Sequence, residues 1–263
     1  MTTYLHDLGS IAELTDSRRT ALRRISELGV GAAIATIPFL KPGVAKAQST
    51  DGDFGILNYA LTLEYLERSF YAQAIDSGNL PAGAEDLFAE IRANEAAHVT
   101  LLRGAIEGAG GEPVDYTDSD FTFDGFLGDA VSVATLAQGL EDTGVRAYKG
   151  QAAAISDPGI LTVALQIHSV EARHAAAIRR LPESPASNGW PTPGEDRPAP
   201  IAPVYQGSTP ESNTSQGGVE LTTALSGYSA SDIAEAFDET LSMDEVLAIA
   251  GQFITGEEGD GND

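Results

Sequence analysis

Two Glu-x-x-His pairs, Glu95-Ala96-Ala97-His98 and Glu171-Ala172-Arg173-His174, stand out in a chain of 263 residues that has no cysteine. A glutamate and a histidine three residues apart share one face of a helix, so each pair can offer a carboxylate and an imidazole to one metal ion. Glu64 and Glu141 each follow a leucine and precede a tyrosine by seven residues, Tyr71 and Tyr148. The offset from Glu64 to Glu141 is 77 residues and that from Glu95 to Glu171 is 76, so the chain repeats itself in two halves. One Glu from each of two helices and a Glu-x-x-His from each of two more give six candidate ligands, the set that builds a carboxylate-bridged dinuclear site inside a four-helix bundle. Without cysteine, thiolate zinc sites, iron-sulfur clusters, disulfides and thiol nucleophiles are excluded, and oxygen and imidazole ligation remains. Two divalent ions, Fe or Mn with Zn also accepted, suit those donors, and four glutamates would neutralise them.

Four long helices must position these residues. The first is predicted from Asp53 to Ser77, with apolar residues at helical spacing (Ile56, Ala60, Leu63, Phe70, Ala74). The second starts at Glu85 after Pro81-Ala82-Gly83, carries the stripe Phe88, Ile91, Leu102, Ala105, and runs to Gly108 and the Gly110-Gly111 stop, antiparallel to the first. Residues 112–125 lack helical period and read as a long crossover. A third helix is predicted from Phe126 to Ile155, and a fourth from the Ser156-Asp157-Pro158 start to Leu181. Residues 182–218, dense in Pro, Ser and Gly, read as a linker or strap docked through Trp190. Two short helices, Ser229 to Phe237 and Ser242 to Ile254, and an acidic tail from Gly256 to Asp263 complete an appendage over 219–263, in which no chemical constellation is evident.

Each candidate has a plainer reading. Glu67, three residues after Glu64, reads as an ion-paired or solvated residue, with an extra ligand as the alternative, and its counterpart in the second half is Gly144. That glycine either opens space beside the ions or allows close helix packing. His168, outside any Glu-x-x-His pair, reads as a polar surface residue or one that orients a ligand. Tyr71 and Tyr148 either hydrogen-bond ligand carboxylates across the bundle or fill core volume.

Lys plus Arg number 15 against 39 Asp plus Glu, a net charge of −24 that excludes nucleic acid and anionic membrane surfaces as partners. Six of the 15 basic residues lie in residues 1–47, and beyond them nine face 35 acids. So acidic and lysine-poor a surface fits a halophilic protein as well as an ordinary acidic one. In residues 1–47, Arg18-Arg19 precede an apolar run from Leu28 to Leu40, too short to span a membrane, and then Ala45-Lys46-Ala47. This order resembles a twin-arginine (Tat) signal, S-R-R-x-F-L-K, with Ala21 in place of the Phe and Arg23 in place of the Lys. The resemblance implies a folded passenger handed to the Tat translocase and a periplasmic, cell-surface or extracellular site of action.

Over Asp53 to Leu181 the chain resembles the ferritin-like superfamily of di-iron and di-manganese carboxylate proteins, alongside bacterioferritin, rubrerythrin and manganese catalase. The resemblance implies an all-α, ferritin-like four-helix bundle over 48–181. It implies that Glu64 and Glu141 are terminal carboxylates, Glu95 and Glu171 bridging carboxylates, His98 and His174 imidazole ligands, and Tyr71 and Tyr148 tyrosines that support them. More narrowly the chain is similar to exported ferritin-like proteins described as desiccation- or stress-related. Two functions follow. In the first, an oxidoreductase binds O₂ or H₂O₂ at two Fe or Mn ions and protects against oxidative stress by catalase-like or ferroxidase-like chemistry, without the Cys₄ electron-entry domain of an electron-chain peroxidase. In the second, a non-catalytic stress protein keeps the bundle with a structural metal pair or none; a metal-delivery protein with weak, exchangeable sites is a third. A 24-subunit storage shell is not expected given the strap, whereas a homodimer is compatible with everything above.

Overall fold

The computed structural model describes residues 50–186, 188–195 and 197–255, so the signal expected over 1–47 and the acidic tail lie outside the described residues. Four long helices dominate: α1 (Thr50–Ser77), α2 (Glu85–Gly108), α3 (Ala130–Gln151) and α4 (Pro158–Ile178). Tyr65 of α1 meets Arg103 of α2, and Tyr71 stacks edge-to-face on Phe88, which makes the pair antiparallel. His168 and Arg179 of α4 likewise meet Val145 and Asp142 of α3 in antiparallel order. Tyr71 reaches Glu141 while Tyr148 reaches Glu64, so α3 also runs against α1. The bundle is therefore up, down, down, up, and the parallel α2 and α3 need a long crossover, predicted over 112–125 and observed over 109–129.

The helix ends follow local chemistry. Asp157 accepts hydrogen bonds from the Gly159 and Ile160 amides at 2.7 and 3.0 Å, with Pro158 at the first helical position. The expected start of the third helix at Phe126 is corrected to Ala130, because the Asp129 carboxylate accepts from the Val131 and Ser132 amides at 3.0 and 2.9 Å. Its expected end at Ile155 is corrected to Gln151, and Asp53 holds the following turn by accepting from the Ser156 and Asp157 amides.

α2 and α4 bury one stripe each: Phe88, Ile91, Glu95, His98, Leu102 and Ile106 on α2, and Ala164, Ile167, Glu171, His174 and Ile178 on α4. α1 is hidden on nearly every side, and α3 is buried at every residue from Val133 to Tyr148. The crossover covers α1. Asn58, Tyr65, Arg68, Ser69 and Gln73 bond its backbone and its acids, including an Arg68 to Asp118 ion pair of 2.9 Å.

The strap covers α3, and it is held by buried charge, not by Trp190, which is 48% exposed. Arg179 is 2.8 Å from Asp142, and Tyr205 donates to the same carboxylate. Arg146, one helical turn on from Asp142, pairs with Glu211 at 2.6 Å and donates to the Glu239 and Val204 carbonyls. Gln138 and Lys149 continue this polar stripe to Tyr205 and Asp238. The strap ends in a short hairpin, β1 (Ser215–Gln216) with β2 (Val219–Glu220), followed by α5 (Leu221–Ala224), none of which the pattern predicts. The two predicted short helices are α6 (Ala230–Ala234) and α7 (Met243–Ala250), each opened by a capping box, Ser229 with Asp232 and Ser242 with Glu245. The chain then returns to the crossover, where Thr122 donates to the Phe253 carbonyl and Thr255 to that of Asp120. Among the described residues no helix is long and apolar enough to cross a membrane.

A methyl group on Gly150 would run into the backbone carbonyl of Leu241, whereas one on Gly104, in α2, meets nothing within 4 Å. Gly150→Ala is expected to cost about 1 to 3 kcal/mol by pushing the segment between α6 and α7 off α3. Gly104→Ala is expected to be neutral or to add up to about 1 kcal/mol through helix propensity. Urea unfolding of both variants beside the wild type measures the difference.

Candidate metal centre

The bundle brings all six sequence-predicted ligands to one point. Glu64 on α1, Glu95 on α2, Glu141 on α3 and Glu171 on α4 have no solvent exposure, and His98 and His174 have 9% and 6%. They fall into two groups whose ligand atoms lie within 4.8 Å of one another: Glu64, Glu95, His98 and Glu171, and Glu95, Glu141, Glu171 and His174. Glu95 and Glu171 belong to both, so each group has a glutamate and a histidine of its own and two carboxylates in common.

The partners repeat across the pseudo-twofold axis, while the distances differ. His98 Nδ1 is 2.9 Å from Glu95, 3.0 Å from Glu64 and 3.3 Å from Glu171. His174 Nδ1 is 2.9 Å from Glu95, 3.3 Å from Glu141 and 3.8 Å from Glu171. Glu95 turns Oε2 to His98 and Oε1 to His174, and Glu171 turns Oε1 to His98 and Oε2 to His174. Each tyrosine crosses the bundle: Tyr71 donates to Glu141 and Tyr148 to Glu64. Tyr71 is itself gripped edge-to-face by Phe70 and Phe88, at 5.2 and 5.1 Å between ring centroids.

Several of these atoms lie within ion-pair distance of one another but make no aligned hydrogen bond: Glu95 Oε1, Glu141 Oε2, both oxygens of Glu171, and His174 Nδ1. A buried polar atom without a partner is costly, and a cation can gather four such lone pairs where a proton links two. The donor set, all carboxylate and imidazole, fits hard or borderline divalent ions, and the shared glutamates fit two ions held close together. The residues therefore fit a metal pair.

Charge explains the titration behaviour. Burial, and then the neighbouring Glu171 charge, push the Glu95 carboxyl well above its ordinary value. Burial likewise pushes Glu141 up to about 7, against the pull of His174 and Tyr71. At Glu171 burial is outweighed by contacts with both imidazoles, and its carboxyl is lowered. Burial alone would lower the histidines, but the surrounding carboxylates overcome it, pushing His174 up to about 12 and His98 up as well.

Glu67 departs from the sequence reading. It is only 3% exposed and pairs with no basic group among the described residues, so the expectation of a solvated or ion-paired residue is corrected. It faces Gly144 of α3: the point where a Cβ would sit there is 3.0 Å from Glu67 Oε1 and 3.3 Å from Glu171 Oε2, so the missing side chain leaves room for both carboxylates. The Glu64-x-x-Glu67 spacing and the Gly144 mismatch were the available signals. Asn94, whose amide lies 3.4 Å from His174 Nε2, carried none. His168 stands apart from the centre and bonds the Val145 carbonyl at 3.0 Å.

Burial, then the charges of Glu171 and the other three glutamates, raise the Glu67 carboxyl well above 4.5. An acid with a higher pKa in the folded chain than in the unfolded one binds an extra proton when folded, so its contribution to stability is lost as pH rises past the unfolded value. In EDTA-treated protein, Glu67→Gln is therefore expected to stabilise by about 1 to 3 kcal/mol at neutral pH and to flatten the fall in stability between about pH 5 and 8. Denaturant titrations across that range test it; a slope equal to that of the wild type refutes it.

Residues 52–184 match the family model of the ferritin-like domain, a stretch that holds the six ligand candidates, both tyrosines and Glu67. No curated protein matches the chain. With half of its length matched, and with a bundle of this topology around a buried carboxylate and histidine cluster able to hold metal, the chain belongs to the ferritin-like domain family.

Proposed function

We propose that the bundle holds two Fe or Mn ions and acts on O₂ or H₂O₂ in protection against oxidative stress, with catalase-like or ferroxidase-like turnover. The observation that carries this reading is the pair of ligand groups sharing Glu95 and Glu171. Bound ions of this kind supply the electrons that O₂ or peroxide exchanges. The chain supplies the rest. Glu95 and Glu171 hold the ions together, His98 and His174 set their donor strength, and the Tyr71 and Tyr148 hydroxyls fix the orientation of Glu141 and Glu64. Leu63, Leu102, Ala147 and Tyr148 line an apolar pocket, and the hydroxyl of Tyr148 in its wall donates to Glu64.

The twin-arginine pattern at Arg18-Arg19 supports export of the folded, metal-loaded protein by the Tat translocase, and the excess of acids supports work in a salt-rich setting. A second reading, a non-catalytic stress protein, is favoured by one observation: the strap and its buried ion pairs seal the outer face of α3 and spend much of the chain on structure.

The test is metal content per chain by elemental mass spectrometry, on protein expressed with residues 1–47 present. Two Fe or Mn ions per chain are expected in the wild type, one in Glu64→Ala, and none in the Glu95→Ala, Glu171→Ala double variant, with O₂ and H₂O₂ consumption following the pair. Less than about 0.2 metal per chain after anaerobic loading with Fe²⁺ or Mn²⁺ overturns the dinuclear reading and leaves the structural one.

A further inference from the structure

The two halves of the bundle differ in how they pack around their crossing tyrosines. Tyr71 is gripped by the rings of Phe70 and Phe88, both without solvent exposure. At the offsets of 77 and 76 residues that relate the halves, the matching positions are Ala147 and Ala164. Both alanines line the apolar pocket that has Tyr148 in its wall. Two phenyl rings at one end of the bundle therefore have two methyl groups as their counterparts at the other, and the pocket lies where the methyl groups are.

A second difference is one of polarity. Tyr59, in the wall of the same pocket, has Leu136 as its counterpart 77 residues on. Tyr59 is 7% exposed, and its hydroxyl is buried with no hydrogen-bond partner among the described residues. A buried hydroxyl without a partner is costly, and the aliphatic side chains around it, Leu57, Leu63 and Leu102 among them, offer none. Burial pushes the Tyr59 hydroxyl above its ordinary pKa, so it keeps its proton and is available as a donor.

We propose that this pocket is the binding site of a small, mainly apolar organic molecule with one hydrogen-bond acceptor, a ketone in chemical class, whose oxygen takes the Tyr59 hydroxyl. The apolar wall disfavours a charged or many-hydroxylated compound, and the unpartnered donor selects an acceptor over a plain hydrocarbon. The two missing rings set a size near that of one small ring. Gln151, Ile155 and Ile160, all partly exposed, give the pocket its edge toward solvent. An occupant lies against Tyr148, whose hydroxyl donates to Glu64, so one side chain separates it from a candidate ligand of the metal centre. Binding there requires no ion, and it adds an organic ligand to the small oxidants proposed above.

The probes are cyclopentanone and cyclopentane, which differ at one carbonyl. Each is equilibrated with full-length protein as purified and measured in the headspace by gas chromatography, which needs no turnover. The wild type is expected to take up one cyclopentanone per chain, and to hold it more tightly than cyclopentane. Tyr59→Phe removes only a hydroxyl that has no protein partner to lose. It should weaken cyclopentanone about 5- to 20-fold and leave cyclopentane within about twofold. Ala164→Phe, which copies the ring of Phe88, should abolish uptake of both. Where circular dichroism shows that this variant does not fold, Ala164→Leu takes its place with the same expectation. A wild type without saturable uptake of cyclopentanone overturns the proposal. Uptake that filling position 164 leaves intact also overturns it, because the site is then elsewhere. An unchanged cyclopentanone affinity in Tyr59→Phe overturns it as well, because the hydroxyl then selects nothing. The dinuclear reading stands or falls separately, on metal content.

Discussion

Four glutamates without solvent exposure, and a fifth at 3%, are gathered in the middle of a helical bundle whose nearest positive groups are two imidazoles. Removing a carboxylate from water costs several kcal/mol unless opposite charge or hydrogen bonds offset it, and here the offset is concentrated at one point. Each carboxylate has to be aimed from its own helix at atoms on the other three. That demands long, regular helices, tyrosines that cross the bundle to fix Glu141 and Glu64, and aromatic packing around Tyr71 that prevents it from swinging away. Relaxing any one of these leaves an unpaired carboxylate in the core, so the geometry of the bundle is set by its charges as much as by its apolar surface.

The same constraint accounts for what surrounds the bundle. α1 and α3, which bring the terminal glutamates and the tyrosines, are the two helices covered on their outer faces, α1 by the crossover and α3 by the strap. The covers use polar stripes, Asn58, Tyr65, Arg68 and Gln73 on α1, and Gln138, Asp142, Arg146 and Lys149 on α3. Apolar burial is non-directional, whereas an arginine such as Arg146, with a carboxylate and two carbonyls at fixed positions, accepts only one register. The two covers then meet where the chain beyond α7 pairs with the crossover at Phe121 and Ile254.

Much of this was legible in the sequence, and for identifiable reasons. The Glu-x-x-His pairs sit on α2 and α4, whose single buried stripe gives helical period in plain view, and the 76- and 77-residue offsets tied the other two glutamates to them. The long crossover was legible as a stretch without period. α3 was harder to bound, since a helix buried all round has no polar face to mark its ends, and the Asp129 cap is visible only once its amide partners are known. The strap ion pairs were not legible at all: Arg146 and Glu211, or Asp142 and Arg179, are partners across long stretches of chain, and no local pattern connects them. Glu67 was misread for the complementary reason. Glutamate is a surface residue by default, and the room beside Gly144, on another helix, is not visible in the pattern around Glu67.

The symmetry of the centre is therefore a frame on which differences have been laid. The six candidate ligands and two tyrosines obey the twofold repeat, but Glu67 faces Gly144, Asn94 stands beside His174, and one half is covered by a crossover where the other is covered by the C-terminal strap. Because both terminal-glutamate helices are covered, the helices left with open outer faces are α2 and α4, the pair that carries the histidines. Among the six ligands the imidazoles alone have any solvent exposure. The shortest way from solvent to the glutamates thus passes the histidine edges, and the two edges differ, since the ring of His174 touches an amide and that of His98 does not. A bundle built on a twofold repeat in this way has two distinguishable sides, with all six candidate ligands kept in their repeated positions.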